Sequence, residues 1–257
     1  CTMCAMTRAD PARTAPDNPT RCEPASTAWP TADAADATAA SAAGRTALVA
    51  GASGLVGQEI LRALLADKAY SAVHCVGRRA LALRHPKLHS HVVDFAALPR
   101  LPQVDDVFIA LGTTIKVAGS QQAFRAVDFD AVVAVARAAR SSGATYLGVV
   151  SAMGASARSP VFYNRVKGEM EQALGQLGYV GVVIARPSLL VGDRDRLNQP
   201  TRAAEKISQG LMGLLRPVIP ANLRAIDARD VALSLIDAVR ARQPGQQVLL
   251  SGALQRH

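Results

Sequence analysis

Residues 46–67, TALVAGASGLVGQEILRALLAD, join a short apolar run, a turn with glycine at every third position, and an amphipathic segment. The apolar run at 46–51 has the length of a buried strand. From 55 to 67 the apolar residues recur at helical spacing and predict a helix. Those on one side of it are Val56, Ile60, Leu61, Leu64 and Leu65. The stretch therefore predicts a strand, a tight turn and a helix, which is how a βαβ fold begins.

The turn between these two elements carries Gly51, Gly54 and Gly57. Glycine permits a tight turn, lets a pyrophosphate approach backbone N–H groups, and allows a helix to pack closely on a strand. The positive end of the helix then faces the phosphates. We therefore predict a dinucleotide site here, with a purely structural turn as the alternative. Its predicted residues are Gly51, Ser53, Gly54, Leu55, Val56 and Gly57.

Apolar runs and helical segments go on alternating along the chain. Further strands are predicted at 71–77, 91–95, 105–112, 146–152, 180–188 and 246–252, and helices at 121–140, 161–171 and 228–241, the last capped by Asp227. Apolar strands separated by helices are typical of a parallel sheet covered on both faces. The predicted class is α/β, a doubly wound, mostly parallel Rossmann-type sheet. Residues 193–227, with a helix around 202–215, break this rhythm and predict a small cap over the sheet.

The first 44 residues contain no Ile, Leu, Val or Phe and are rich in Ala, Thr, Pro and Asp. Such a segment buries too little apolar surface to offset the entropy of ordering it, so we predict a disordered tail at 1–44 and one folded domain at 45–257. No apolar stretch has the length of a membrane span, and no secretory signal is recognisable, so no membrane association is expected.

Three of the four cysteines, Cys1, Cys4 and Cys22, lie in this tail, and Cys75 lies in a predicted buried strand. They imply no disulfide framework and favour a reducing, cytoplasmic location. A lipid-bearing Cys1 stays open as an alternative. The chain has a formal net charge of +9, and since the tail carries three basic and five acidic residues, residues 45–257 carry +11. The arginines are dispersed, however, and no nucleic-acid motif is present. The basic charge therefore favours an anionic small molecule over nucleic acid.

The second predicted strand ends at Gly77, followed by Arg78 and Arg79. Sites that prefer NAD usually carry an acidic residue here for the ribose hydroxyls, whereas arginine suits a 2′-phosphate. We therefore predict NADP(H) as the cofactor, with NAD possible and solvated surface arginines as the alternative.

Other strand ends supply further candidates. Asp94 follows the third strand and is predicted to face the adenine, whereas Leu111, Gly112 and Thr113 end the fourth strand on the nicotinamide side. A metal site is not expected, because the histidines before the third strand lack clear carboxylate or sulfur companions and are interpreted as loop residues. They are His85, His89 and His91.

Tyr163 and Lys167 are four residues apart in a predicted helix, so their side chains share one face. A neighbouring ammonium favours phenolate, which suits a proton-transfer group. Ser151 ends the fifth strand on the same rim and offers a hydroxyl to a substrate oxygen. The alternative is a half-buried tyrosine beside a structural lysine.

Taken in order, GASGLVG, VGRRAL, ALGTT, VSAMGAS, YNRVKGEME and RPSLLVGDR resemble the short-chain dehydrogenase/reductase superfamily, and within it the atypical branch of Tat-interacting-protein-like oxidoreductases. The resemblance spans residues 46 to about 240. It implies Tyr163 as acid/base, Lys167 as the group that orients the nicotinamide ribose and tunes Tyr163, and Ser151 as the holder of the reacting oxygen. It also implies Pro187 and Ser188 beside the nicotinamide. The asparagine that many members use in a proton relay is not identifiable.

Together these features predict an NADP(H)-dependent oxidoreductase that transfers hydride to or from a small carbonyl or alcohol. Two alternatives stay open: an NADP(H)-binding sensor or scaffold without turnover, and a nucleotide-sugar epimerase or dehydratase. The sequence identifies neither the substrate nor the oligomeric state.

Overall fold

The computed structural model describes residues 44–191 and 225–255. Its strands are β1 (Arg45–Ala50), β2 (Tyr70–Gly77), β3 (Leu88–Val92), β4 (Asp106–Ile109), β5 (Tyr146–Val150), β6 (Gly181–Arg186), β7 (Leu190–Val191), β8 (Ile226–Asp227) and β9 (Gly245–Leu250). Its helices are α1 (Leu55–Ala66), α2 (Ile115–Ala118), α3 (Gln121–Arg125), a π-helical segment (Ala126–Ala131), α4 (Val132–Ser141), α5 (Phe162–Gly175), α6 (Ala228–Arg240) and α7 (Ser251–Leu254). The predicted tail up to residue 43, and the predicted cap from residue 193 to residue 224 with its helix around 202–215, lie outside the described residues.

Seven strands form one parallel sheet in the order β3-β2-β1-β4-β5-β6-β9, and β7 pairs with β8 in a separate two-stranded sheet. The chain runs outward from β1 to β3 and then crosses back to β4 on the other side of β1. This reversal opens a crevice at the carboxyl ends of β1 and β4, where ligands bind in sheets of this kind. The predicted α/β class is confirmed.

Two apolar clusters cover the two faces of the sheet. Helices α1 and α6 bury Leu64 and Leu235 against one face, and α4 and α5 bury Val135 and Met170 against the other. Asp227 accepts a hydrogen bond from the Arg229 N–H at 2.7 Å, which confirms the predicted cap of α6. Among the described residues, no helix is both long and apolar enough to cross a membrane.

Two strands differ from the predictions by three residues, and the other strand boundaries lie within two residues of the predictions. The predicted strand at 91–95 lies at Leu88–Val92 instead, because its pairing with β2 runs only as far as Gly77 and Val92. The predicted strand at 105–112 stops at Ile109, which pairs with Ala50 at the end of β1. Hydrogen-bond register with the neighbouring strand therefore sets both ends, and apolar residues beyond it belong to loops.

The interpretation of the histidines as loop residues is wrong for two of the three. His89 and His91 lie within β3, and their rings stack on His74 of β2 at centroid distances of 4.9 and 5.5 Å. His74 Nδ1 lies 3.2 Å from His91 Nε2. The three rings share one face of the sheet, because His74 pairs with His89 and side chains alternate along each strand.

This histidine stack predicts a stability that falls in mild acid. Burial lowers the pKa of both His74 and His91 to about 4, with repulsion from neighbouring histidines as a further cause. An unfolded histidine titrates near 6.5, so the unfolded chain binds more protons between about pH 6.5 and pH 4. We expect the free energy of unfolding to be highest above this window and to fall as the pH drops through it. Urea unfolding at a series of pH values measures the slope.

The matched variants are His91→Gln, which removes one half-buried ring from the stack, and His85→Gln, which changes an exposed histidine of the preceding loop. The first is expected to flatten the dependence on pH, and the second to leave it unchanged. Equal slopes in wild type and His91→Gln would contradict the assignment.

The amino-terminal edge of the sheet carries a buried charge cluster that lies away from the crevice. Asp106 accepts a hydrogen bond from Tyr70 Oη at 2.7 Å and pairs with Arg45 and Arg242. Burial raises the pKa of Asp106, and the two guanidinium groups oppose that shift. The cluster joins the first residue of β4 to β1, β2 and the connection before β9, so its role is structural.

Candidate functional site

The glycine turn after β1 has no room for side chains. Gly51 has φ +90°, and a Cβ there would lie 2.5 Å from the carbonyl oxygen of Ala110. A Cβ on Gly57 would lie 2.0 Å from the carbonyl oxygen of Gly51. Helix α1 starts after Gly54 without a side-chain cap, so its first N–H groups face the crevice unblocked. An exposed backbone turn before an uncapped helix fits the pyrophosphate of a dinucleotide.

The other residues predicted to bind at the glycine turn differ in how far their side chains are buried. Ser53 is exposed and Leu55 is half-buried, whereas the side chain of Val56 packs into the core. Val56 and Gly57 can therefore offer only backbone N–H groups to a ligand.

Arg78 and Arg79 directly follow β2 and are both exposed. Neither has a hydrogen bond or an ion pair with any residue that the structure describes. Asp94 is also exposed, two residues after β3, and its carboxylate accepts a hydrogen bond from the Ala96 N–H at 3.0 Å. These three side chains lie at the carboxyl edge, on the side of the crevice formed by β2 and β3.

The loop after β4 connects the glycine turn to α5. Ala110 packs on Gly51, and a Cβ on Gly112 would lie 3.4 Å from Asp128 Oδ1 and 3.8 Å from Lys167 Nζ. Leu111 is half-buried beside the apolar cluster of α4 and α5. This loop therefore runs from the predicted phosphate-binding turn to the predicted catalytic lysine.

Helix α5 carries Tyr163 and Lys167 in its first two turns. The half-buried Tyr163 ring packs against Phe124 with a centroid distance of 5.3 Å, and its hydroxyl makes no hydrogen bond to any described residue. Lys167 is buried, and its Nζ lies 2.8 Å from Asp128 Oδ1. The side chains of the pair are 4% and 1% exposed.

Asp128 was not predicted as a site residue. It lies in the π-helical segment, and its Oδ2 accepts a hydrogen bond from the Thr113 N–H at 2.9 Å. Oδ1 makes no hydrogen bond of good geometry, so its contact with Lys167 is an ion pair. A π-helical turn interrupts the regular helix predicted at 121–140, and such turns are frequent at functional sites. A buried lysine needs a counter-charge, so a buried Lys167 would have predicted an acidic partner, although not which one.

Ser151 directly follows β5, as predicted, but its hydroxyl has an unforeseen partner. It is 5% exposed, and its Oγ donates a hydrogen bond to Glu171 Oε1 at 2.5 Å. Glu171 lies one turn after Lys167 on α5 and pairs with Arg186 at the end of β6. No hydrogen bond joins Ser151 to Tyr163 within the described ranges. No local pattern pointed to Glu171, because its partners Ser151 and Arg186 are 20 and 15 positions away along the chain.

Pro187 and Ser188 follow β6 and adjoin the same loops. The carbonyl oxygen of Pro187 accepts a hydrogen bond from the Met153 N–H at 3.0 Å, and the hydroxyls of Ser188 and Ser251 are 2.9 Å apart. Within residues 44–191 and 225–255, no group of His, Cys, Asp and Glu side chains is arranged to hold a metal ion. The carboxyl edge thus carries a backbone cradle that suits a dinucleotide, and a phenol and a buried ion pair beyond it.

No family model matches the chain, but individual proteins do. It is 30% identical to protein HTATIP2 of Rattus norvegicus over 213 residues, which are 80% of this chain and 86% of that protein. It is 33% identical to the mitochondrial protein fmp52 of Emericella nidulans over 173 residues, which are 63% of this chain and 74% of that protein. Among solved structures, MoeE5 in complex with UDP-glucose and NAD has a TM-score of 0.60 and 18% identity, covering 79% of this chain and 75% of that one.

These relatives correct the predicted location. The FMP52 proteins of several fungi are named as mitochondrial, which contradicts a cytoplasmic assignment from cysteine usage. Cysteine usage bears on the redox state of a compartment, and it does not distinguish among the reducing compartments inside the cell.

The similarity to HTATIP2 extends over four fifths of the chain. The chain therefore belongs to the family of HTATIP2 and FMP52, in the atypical branch of the short-chain dehydrogenase/reductase superfamily.

Proposed function

We propose that this protein is an NADP(H)-dependent oxidoreductase that acts on a small carbonyl or alcohol, with Tyr163 as the group that transfers the proton. The observation that carries the proposal is the continuous path from the glycine turn through Gly112 and Asp128 to Lys167 and α5. The glycine turn and the phenol of Tyr163 thus lie on one edge of the sheet, which supports a phosphate site and a proton-transfer group there. The NAD present in the MoeE5 complex supports a dinucleotide in a fold of this kind.

Different residues of the chain would bind different parts of the dinucleotide. The N–H groups of Leu55, Val56 and Gly57 at the start of α1 would hold the pyrophosphate, where the helix dipole favours negative charge. Asp94 would lie beside the adenine, and Leu111, Gly112 and Thr113 beside the nicotinamide, with Pro187 and Ser188 across from them. The bound nicotinamide supplies or accepts the hydride.

Tyr163 would donate its proton to the reacting oxygen in reduction and accept it in oxidation. A hydroxyl without a partner among the described residues is available for this purpose. Lys167 would orient the ribose, and its ammonium is itself held by Asp128 at 2.8 Å.

The direct test combines binding with turnover. NADPH at 100 times its dissociation constant is expected to stabilise the folded protein by about 2.7 kcal/mol, which a melting curve resolves. NADPH consumption with a panel of aldehydes, ketones and quinones then tests catalysis. Stabilisation without any turnover would favour the sensor or scaffold alternative, and conversion of UDP-glucose without net coenzyme consumption would favour an epimerase. If NADPH neither stabilises the protein nor is consumed with any substrate of the panel, the proposal is refuted.

The preference for the phosphorylated coenzyme rests on Arg78 and Arg79. A hydrogen bond to a charged group contributes roughly 1.5–3 kcal/mol, so replacing both by serine is expected to weaken NADPH binding by about 10- to 100-fold. NADH binding should change little, because NADH lacks the 2′-phosphate. Calorimetric titration with each coenzyme gives both dissociation constants.

Arg84 provides the matched control, since it is an exposed arginine of the same β2–β3 connection. Arg84→Ser should leave both constants unchanged. If the double variant keeps the wild-type ratio of NADPH to NADH affinity, the two arginines do not read the phosphate.

A further inference from the structure

Three exposed apolar side chains lie on the loops that adjoin Tyr163. Met153 follows β5 and is 41% exposed, Leu189 follows β6 and is 37% exposed, and Val161 directly precedes α5 and is 55% exposed. Tyr163 is the second residue of α5. We call Met153, Val161 and Leu189 the apolar rim. Single exposed apolar side chains are common on protein surfaces, whereas several on loops around one reactive hydroxyl are typical of a ligand site.

Backbone hydrogen bonds hold the loop of Met153 between β6 and α5. Strands β5 and β6 are neighbours in parallel register, so the loops that follow them lie side by side. The Met153 N–H donates to the carbonyl oxygen of Pro187 at 3.0 Å, and the Ser156 N–H donates to that of Asn164, also at 3.0 Å. Asn164 is next to Tyr163 in the first turn of α5. Met153 is therefore fixed between the segment after β6 and the turn of α5 that carries Tyr163.

The loops of the apolar rim carry little charge. Residues 151–161 (SAMGASARSPV) and 187–189 (PSL) contain one charged side chain, Arg158, which is exposed. Charged side chains of the neighbouring helices and strands form ion pairs: Lys167 with Asp128, Arg186 with Glu171, and Arg125 with Glu169. Recognition of a phosphate relies on arginine, lysine or backbone N–H groups that are free to bind it. The described loops around Tyr163 therefore suit an uncharged substrate better than a nucleotide sugar.

We propose that the apolar rim binds the non-reacting part of the substrate, and that the substrate is an uncharged aldehyde or ketone with an alkyl chain or an apolar ring. The inference rests on the proposed oxidoreductase function. Ligand sites are lined mostly by apolar side chains, and a few polar groups fix the orientation of the ligand. Here the Tyr163 hydroxyl binds the reacting oxygen, and Met153 and Leu189 pack against the chain attached to the carbonyl carbon.

The first test measures binding without turnover. 1-Butanol, 1-hexanol and 1-octanol are titrated by calorimetry into the protein with and without NADPH. Each methylene moved from water into an apolar site strengthens binding by up to about 4-fold. The rim side chains are partly exposed, so the dissociation constant is expected to fall by about 2- to 4-fold per methylene. The double variant of Met153→Ser and Leu189→Ser should bind the three alcohols almost equally. Equal constants for the three alcohols in wild type would overturn the proposal.

Val180→Ser is the matched control. Val180 is an apolar side chain that is 46% exposed, but it directly precedes β6 and so lies at the opposite, amino-terminal edge of the sheet. This variant should keep the wild-type dependence on chain length. The double variant should fold normally, because both of its side chains are more than a third exposed, and the single variants replace it if it does not. A wild-type dependence on chain length in the double variant, with a changed sedimentation coefficient, would assign the rim to a contact between copies of the chain and overturn the proposal.

The second test measures turnover of butanal, hexanal and octanal with NADPH. The value of kcat/KM is expected to rise by about 2- to 4-fold per methylene in wild type and in Val180→Ser, and to change little with chain length in the double variant. NADPH affinity should stay within about 2-fold of wild type in all variants. Turnover without any dependence on chain length would overturn the proposed substrate class and leave the oxidoreductase function standing. Graded binding of the alcohols with no turnover of any aldehyde or ketone would refute the proposed function and leave the apolar site standing.

Discussion

Replacement of Tyr163 by phenylalanine is expected to reduce NADPH-dependent turnover by about 100- to 10,000-fold, the usual contribution of a positioned acid or base. The change removes only the hydroxyl, which makes no hydrogen bond within the described residues. The ring stays available to pack against Phe124, so the fold should be unaffected. The loss of NADPH absorbance measures turnover. Calorimetry measures coenzyme affinity, which should match that of wild type.

Tyr179→Phe is the matched control for the loss of a phenol hydroxyl. Tyr179 donates to the carbonyl oxygen of Ala136 at 2.6 Å, and it lies in the turn after α5, far along the chain from the crevice loops. That variant should lose about 1 kcal/mol of stability and keep its turnover. Full activity in Tyr163→Phe would remove Tyr163 from the mechanism while leaving the dinucleotide site intact.

Much of the fold follows from local sequence pattern. Strand β1, the glycine turn and α1 are contiguous, and each is specified by residues within a few positions of it. The order of short apolar runs and helices then determines the parallel sheet. The edges of strands were less predictable, as β3 and β4 show, because their ends depend on register with strands distant in sequence.

The candidate site was predictable only in part, for a related reason. Glycine spacing and the four-residue interval from Tyr163 to Lys167 are local patterns, and they identified the turn and one face of α5. The partners of those residues are distant in sequence: Asp128 is 39 positions before Lys167, and Glu171 is 20 positions after Ser151. Such pairs follow from burial, since a buried charge needs a partner, but the sequence alone does not say which acid supplies it.

The ion pair of Lys167 and Asp128 is expected to have the largest effect on stability. Replacing Asp128 by alanine leaves the ammonium of Lys167 buried without its counter-charge and also leaves the Thr113 N–H without its acceptor. Breaking a buried pair in this way costs about 3–5 kcal/mol, because the remaining charge cannot reach water. Urea unfolding without ligand should show this loss directly. Asp128→Asn keeps the shape and an acceptor for Thr113, and it should lose less.

Asp130 is the matched control, because it is an exposed acid of the same π-helical segment. Asp130→Ala should change the free energy of unfolding by less than about 0.5 kcal/mol. Lys167→Met should partly rescue Asp128→Ala, since it removes the charge that the first change leaves unpaired. Additive losses in that double variant would mean that the two side chains act independently. Lys167 would then be free to bind a ribose without Asp128.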